Sequence, residues 1–407
     1  MKIADLKTTV VAVPNRKLYP TSWLKWRPPG SEPTVVVLAE VFTDDGVSGV
    51  GEAAVWLSAD ITLSYLNLIR PALLGQDPFD VNVVRKYLHA YVKGVHLRDT
   101  SHGALAAVEM AMWDIVGKSM KKPLYQIWGG AFRKKIPYFL YVARGKPEDM
   151  TVESERLVRE GGKTLFTKVG FGIDKDEEAL KAIRRGADQA GRGDVLIRID
   201  ANQTWTPGAA IRNIKRLERY GLEYVEQPVT MYNLDGMARI RRSVDTPILA
   251  HESCWTFYDT LNVIRREAAD AIQVDPRLDV GFTGAKMAAG MAEAAGMPVS
   301  VHIHGELGVA TSLVMHLVAS GPNFSMANQT EYRNRTDDII AGDMFHFEEG
   351  HLRVPEMPGL GVDLNSSKVR KYADYFTASL QTIHLQEKDP SLRSLYKDLV
   401  NIPGNEP

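Results

Sequence analysis

The chain has 407 residues, 44% of them apolar, and 49 basic residues against 50 acidic ones, for a formal charge of -1. Length predicts two or three domains, and the charge balance excludes both a broad phosphate-neutralising face and a highly charged disordered chain, so no nucleic-acid partner is expected. A single cysteine, Cys254, cannot form an internal disulfide, the N-terminus lacks a secretory apolar stretch, and no run approaches the ~18 apolar residues of a membrane span; a cytoplasmic protein with no membrane partner is expected.

In chain order, residues 2–13 read as an extended run broken by Pro14, and 15–33 as irregular and rich in Pro, Trp, Lys and Arg. Thr34–Thr43 is strongly β-prone and ends in Asp44-Asp45-Gly46, a hairpin signal, with the answering strand at Val47–Ala53. Helical patterns fill about 60–120, the clearest at Ala104–Lys118 with Leu105, Val108, Met112 and Ile115 on one stripe. Strands followed by helices predict an α+β unit over 1–130.

Near residue 135 the pattern changes to alternation. Eight β-type runs, Ile136–Val142, Thr164–Lys168, Val195–Asp200, Leu222–Glu226, Pro247–Glu252, Ala271–Asp275, Pro298–His302 and Phe324–Glu331, are separated by helix-periodic segments. Gly221 is placed to stop the helix that carries Ile211, Ile214 and Leu217. Eight strands alternating with helices predict a parallel (β/α)8-type barrel over 131–345, with an open doubly wound sheet as the alternative. The segment 346–407 is expected to pack back on the first domain.

Several of these strands end in a chemically active residue: Lys168, Asp200, Glu226, Glu252, Asp275, His302 and Glu331. Strand C-terminal ends share one face of such a barrel, where active sites form, so one polar residue per repeat becomes one cluster in space. Asp200, Glu226 and Glu252 come from successive units, and three carboxylates brought together repel one another. A hard divalent cation, Mg²⁺ or Mn²⁺, relieves that repulsion; salt bridges to Lys or Arg at the rim are the bland alternative. Asp275 beside His302 fixes an imidazole tautomer and makes a general base. Lys168 across the mouth reads as a second base or as a counter-ion to Asp200 or Glu226. Glu331 reads as a hydrogen-bonding partner for an oxyanion or for the histidine, and His304, two residues beyond His302, as lining the site. A cation facing such bases suits removal of the proton next to a carboxylate, followed by loss of a β-hydroxyl or by reprotonation on the other face.

These residues resemble the enolase superfamily, and within it the mandelate-racemase-like subgroup. GVSGVGEA (46–53) and ALAAVEMAMWDIVGKSMKKPLYQIWGG (104–130) are similar to its capping domain; LIRIDANQTW (196–205), YVEQPV (224–229) and PILAHES (247–253) to its three metal-ligand strands; IQVDPRLDVGFTG (272–284) and MPVSVH (297–302) to its Asp–His dyad. The resemblance implies a (β/α)7β barrel with an N-terminal cap, Mg²⁺ on Asp200, Glu226 and Glu252, catalysis by His302, Asp275, Lys168 and Glu331, and assembly into a homo-oligomer. Where the related muconate-lactonising branch places an Asp ligand this chain has His251, so the third ligand falls on Glu252. The chain departs from the resemblance at Phe166-Thr167-Lys168, where the family's first lysine is missing. That departure favours a sugar-acid dehydratase, using His302 alone, over a racemase or epimerase using Lys168 and His302 on opposite faces. Asn202 and His304, with Trp23, Lys25 and Arg27 (and Trp26 between them) from the 15–33 segment, are the expected contacts to a carboxylate substrate. No Gly-rich phosphate cradle is present near the last strands. Gly46, Gly49 and Gly51 imitate part of a dinucleotide fingerprint but lie within a hairpin. Cys254 reads as packing.

Overall fold

The computed structural model describes residues 1–16, 33–55, 58–92, 98–277 and 281–386. Three antiparallel strands open the fold: β1 (Ile3–Val13), β2 (Thr34–Thr43) and β3 (Ser48–Ala54), in that order across the sheet. The hairpin between β2 and β3 closes where expected, with Gly46 at φ 89° and Thr43 N–H donating to the Val47 carbonyl at 3.0 Å. Helices α1 (Ala59–Leu73), α2 (Val81–Tyr91) and α3 (Arg98–Met120) follow, and α3 lies directly on β3. The glycines of β3 allow that approach. A Cβ on Gly49 would stand 2.1 Å from the Ala111 carbonyl oxygen, and one on Gly51 1.8 Å from that of Ala107. These glycines therefore serve helix–sheet packing, as their dismissal as a nucleotide motif requires.

The short helix α4 (Leu124–Ile127) leads to β4 (Lys135–Pro137) and then to seven parallel strands. These are β5 (Leu140–Tyr141), β6 (Thr164–Lys168), β7 (Leu196–Asp200), β8 (Leu222–Glu226), β9 (Ile248–Ala250), β10 (Ala271–Val274) and β11 (Val299–Val301), hydrogen-bonded in sequence order. Helices α5 (Pro147–Arg159), α6 (Ile173–Gln189), α7 (Pro207–Leu217), α8 (Leu234–Arg241), α9 (Phe257–Arg265), α10 (Gly281–Ala294) and α11 (Gly308–Ser320) connect and follow them. Ile197, Ile199, Val225, Ile248, Ile272, Val274, Val299 and Val301 are fully buried, as strands covered on both faces demand. After α7 a single 3-10 turn intervenes before Gly221, which takes the left-handed conformation at φ 70° and ends the unit.

The expected eighth strand, Phe324–Glu331, does not form a regular ladder. Its backbone nevertheless bridges the two edges of the sheet. The Asn323 carbonyl accepts from Val299 N–H and Gln329 N–H donates to Val301 O, both at 2.9 Å, while Asn328 exchanges backbone bonds with Pro137 and Phe139 on the other side. The Asn328 side chain accepts from Val301 N–H at 2.9 Å and donates to Pro137 O at 3.1 Å, taking positions that a strand would give to its own backbone. The run Ile136–Val142 likewise splits into β4 and β5. β4 pairs antiparallel with β12 (His351–Arg353), and helix α12 (Ser366–Gln386) packs against β1. Among the described residues no helix is long and apolar enough to cross a membrane.

Candidate active site

Lys168, Asp200 and Glu226 are the last residues of β6, β7 and β8, whereas Glu252, Asp275 and His302, expected as strand ends, follow β9, β10 and β11 by one or two residues. Register places Lys168 opposite Asp200 and Asp200 opposite Glu226 on neighbouring strands. Asp200 is completely buried, and Glu226 and Glu252 nearly so. The Lys168 ammonium donates to Asp200 Oδ2, and Asn202 N–H donates to Asp200 Oδ1 at 2.6 Å. Glu252 Oε1 accepts from Gln203 Nε2 at 3.1 Å and from Asn202 Nδ2 at 3.4 Å. Both Asn202 and Gln203 hold positive φ (43° and 67°), a conformation that turns the loop after β7 back toward Glu252.

Three buried acids this close raise the cost of ionising together. Burial, then the Glu226 charge, pushes Asp200 up to about 7 even though Lys168 pulls the other way. Glu226 Oε2 and Glu252 Oε2 are buried with no hydrogen-bond partner. Among the described residues no three His, Cys, Asp or Glu side chains are gathered as a formed metal centre. The chemistry of the donor set still fits a divalent cation: clustered, mutually repelling carboxylates with two oxygens that nothing else satisfies.

His302 stands beside this group of acids, its ring 4.2 Å from that of His251. Its Nδ1 lies 2.8 Å from Asp275 Oδ2, and Asp275 is fully buried. Burial opposes ionisation of Asp275, but Arg277 and His302 outweigh it and hold the carboxyl at about 2. Burial, together with the charge of His251, depresses His302 to about 4, so the imidazole is neutral at neutral pH with Nδ1–H donated to Asp275 and Nε2 left as the basic nitrogen. Lys168 is shifted the other way: burial disfavours its charge, but Asp200 and Glu226 raise its pKa above the ordinary lysine value. Under Lys168 the Phe166 ring lies 5.4 Å from Nζ and stacks at 4.8 Å on Phe139, so the place of the missing lysine is apolar.

Glu331 is brought beside His304, 3.3 Å from Nε2, and Arg335, 3.5 Å from Nη2; burial opposes its charge, but these two neighbours hold its pKa below the usual range. Glu331 is therefore held by His304 and Arg335, whereas His302 is held by Asp275. Residues 23, 25, 26 and 27 of the expected substrate loop lie outside the described residues.

Two residues at the site had no role in the sequence reading. His251 is buried between the acids, with Nδ1 3.0 Å from Glu226 Oε1 and 3.6 Å from Glu252 Oε2, and its ring is 4.2 Å from that of His302. Burial disfavours its charge, yet Glu226 and Glu252 raise it to about 9. Its signal was present: it directly follows β9, one residue before Glu252. Arg277 is fully buried, its guanidinium nitrogens lack hydrogen-bond partners, and Nε lies 3.6 Å from Asp275 Oδ1. A buried arginine three residues past a strand end has no signature in sequence.

Residues 9–129 match the family described as mandelate racemase / muconate lactonizing enzyme, N-terminal domain, and residues 149–368 match the family described as enolase C-terminal domain-like. The chain is 28% identical over 380 residues to the N-succinyl-L-Arg/Lys racemase of Bacillus cereus, covering 91% of this chain and 98% of that one. It is 28% identical over 345 residues to the arabinonate dehydratase of Saccharolobus solfataricus, covering 84% and 91%. The crystal structure of the dipeptide epimerase from Enterococcus faecalis complexed with Mg and the dipeptide L-Leu-L-Tyr superposes with a TM-score of 0.80 at 26% identity, covering 89% and 100%. With both domains matched and the fold shared along its length, the chain belongs to the enolase superfamily, in its mandelate racemase/muconate lactonizing enzyme subgroup, and is an enzyme of that superfamily.

Proposed function

We propose that the chain is a Mg²⁺-dependent dehydratase of a sugar acid, which removes the proton alpha to the carboxylate and expels the β-hydroxyl to give a 2-keto-3-deoxy acid. The observation that carries this reading is the one-sidedness of the bases. His302 has a tautomer fixed by Asp275, which makes Nε2 its basic nitrogen. Lys168 is tied to Asp200 and raised in pKa, with Phe166 in place of a second lysine. One base suffices for dehydration: His302 Nε2 accepts the α-proton, and the resulting imidazolium returns a proton to the departing hydroxyl. Racemisation needs a competent group on each face.

Asp200, Glu226 and Glu252 would hold the cation, which when bound supplies Lewis-acid stabilisation of the charge gathering on the substrate carboxylate. Asp275 stabilises the imidazolium that His302 becomes. Lys168 remains an ammonium, neutralising Asp200 and presenting positive charge to the substrate. Glu331, with His304 and Arg335, forms a charged wall beside the dyad. This arrangement suits a small carboxylate substrate.

The second reading, a racemase or epimerase at the carbon alpha to a carboxylate, is supported by relatives of comparable identity that bear such names. Incubation with Mg²⁺ and a library of aldonic and aldaric acids in deuterium oxide separates the two. Release of a 2-keto acid, read as its semicarbazone absorbance, is the expected result. Deuterium entering unreacted substrate with inversion, and no keto acid from any member, would overturn the dehydratase in favour of the epimerase.

A further inference from the structure

We infer that Arg277 is a positioning residue for His302: its buried guanidinium holds and neutralises the Asp275 carboxylate, which leaves the imidazole uncharged and ready to take a proton. The inference rests on the reading of His302 as the base and adds to it a residue that acts through Asp275.

The Asp275 carboxylate is divided between two neighbours. Oδ1 accepts from the Arg277 backbone N–H at 2.8 Å and lies 3.6 Å from Arg277 Nε, whereas Oδ2 faces His302 Nδ1 at 2.8 Å. With Oδ1 tethered to residue 277, Oδ2 is aimed at the ring. The Arg277 side chain is fully buried, and its Nε, Nη1 and Nη2 make no hydrogen bond to any described residue. Burying an ion without hydrogen bonds is costly, and a guanidinium that bridges no other groups is not there to tie segments together. What it supplies is a fixed positive charge, and its ion pair is with Asp275. Glu52 on β3 also lies within its field, but both Glu52 oxygens already accept from the start of α11.

Charges held away from water favour a neutral total. Arg277⁺, Asp275⁻ and an uncharged His302 meet that condition with the basic nitrogen vacant. Without Arg277⁺, one neutral arrangement is Asp275⁻ beside an imidazolium, in which the base is already protonated. The other is a protonated Asp275, which donates to Nδ1 and moves the ring proton to Nε2. Neither can accept a proton from substrate at Nε2. Against the opposing effect of burial, Arg277 does most to hold the Asp275 carboxyl at about 2. His251, after β9, and Glu226, at the end of β8, also face the ring and are unchanged by a substitution at 277.

The test uses the full chain labelled with ¹⁵N-histidine, with Mg²⁺ present and no substrate. Long-range ¹H–¹⁵N correlation spectra read the charge and tautomer of each ring, and the His302 signals are those absent from His302→Asn. The expected wild-type ring at pH 7 is neutral with its proton on Nδ1. In Arg277→Met that form is lost to the imidazolium or to the Nε2–H tautomer, whereas Arg277→Lys, which keeps the charge, retains it. An Arg277→Met ring that stays neutral and Nδ1-protonated overturns the inference, as does a wild-type ring that is charged at pH 7. Arg277→Gln is the second uncharged variant; failure of both to fold, read by circular dichroism, also overturns it, because the guanidinium then holds the fold and not the dyad. On a sugar acid identified by keto-acid release, kcat of Arg277→Met should fall about 10²-fold with KM within about threefold of wild type, the split of a group that acts on the chemical step and not on binding. An unchanged kcat overturns the inference. Loss of the Nδ1–H form in Arg277→Met, with no keto acid released by the wild-type chain from any member of the library, supports this role of Arg277 and overturns the sugar-acid reading alone.

Discussion

Asp275 never needs to touch the substrate to matter. Its carboxylate fixes which nitrogen of His302 carries the proton, because Nδ1 must donate to Oδ2 at 2.8 Å. Asp275→Asn offers an amide that can present N–H to the ring and select the other tautomer, aiming a proton where a lone pair is needed. Turnover should fall about 10²–10⁴-fold with the fold intact, the range seen when a general base is lost or mis-protonated. A rate within a few-fold of wild type would remove Asp275 from the base machinery. Much at this scale was legible, because each strand-end residue carried its chemistry in its letter: acid, imidazole, amine. What was not legible is pairing. Glu331 stands four residues before Arg335 and is joined by His304 only through the fold, and His251 was overshadowed by the acid beside it. Charge type is written in sequence, whereas the distance between 226 and 251 is set by how β8 and β9 align.

The elements show the same division. The β2–β3 hairpin was readable because Val-rich runs flank Asp44-Asp45-Gly46, and β6 and β8 begin and end where their apolar runs do. The run at 324–331 looked like its predecessors, yet its Asn328 side chain bonds the neighbouring backbones and replaces regular ladder pairing. Composition cannot distinguish a strand from an extended segment anchored by one amide. Nor could it announce that β3 reaches into the barrel. Glu52, fully buried, accepts from Leu307 N–H at 2.8 Å and Ala310 N–H at 3.0 Å, and so caps the start of α11 from another sheet. Helix N-termini carry unsatisfied N–H groups and partial positive charge, which a carboxylate answers. Glu52→Ala leaves those donors buried and unpaired and should cost roughly 1–3 kcal/mol in urea unfolding, with Glu52→Gln, which keeps an acceptor oxygen, losing less. Equal losses in the two variants would mean that shape, not the accepted hydrogen bonds, holds this contact.

At the scale of the whole molecule, His316 on α11 ties three parts of the chain together. Tyr125, at the end of the first domain, donates its N–H to Nδ1 at 3.4 Å, and Nε2 faces the Leu360 carbonyl at 3.1 Å, in the segment that follows the barrel. The Tyr125 ring stacks on it at 5.7 Å. Accepting at one nitrogen and donating at the other requires the neutral ring, and burial depresses its pKa to about 4. The unfolded chain keeps the ordinary value near 6.5. Between those values the unfolded state binds a proton that the folded state refuses, so stability is complete above about pH 6.5 and is lost as pH falls toward 4. The part lost between pH 7 and pH 5 amounts to roughly 2 kcal/mol, at about 1.4 kcal/mol per pH unit below 6.5. His316→Gln keeps a donor and an acceptor but cannot titrate. It should be less stable than wild type at pH 7, and its decline from pH 7 to pH 5 should be shallower by about that amount. Urea midpoints and slopes for both chains at the two pH values check this directly. Parallel declines would place the acid sensitivity elsewhere, since every other titrating group is common to both chains and cancels in the comparison.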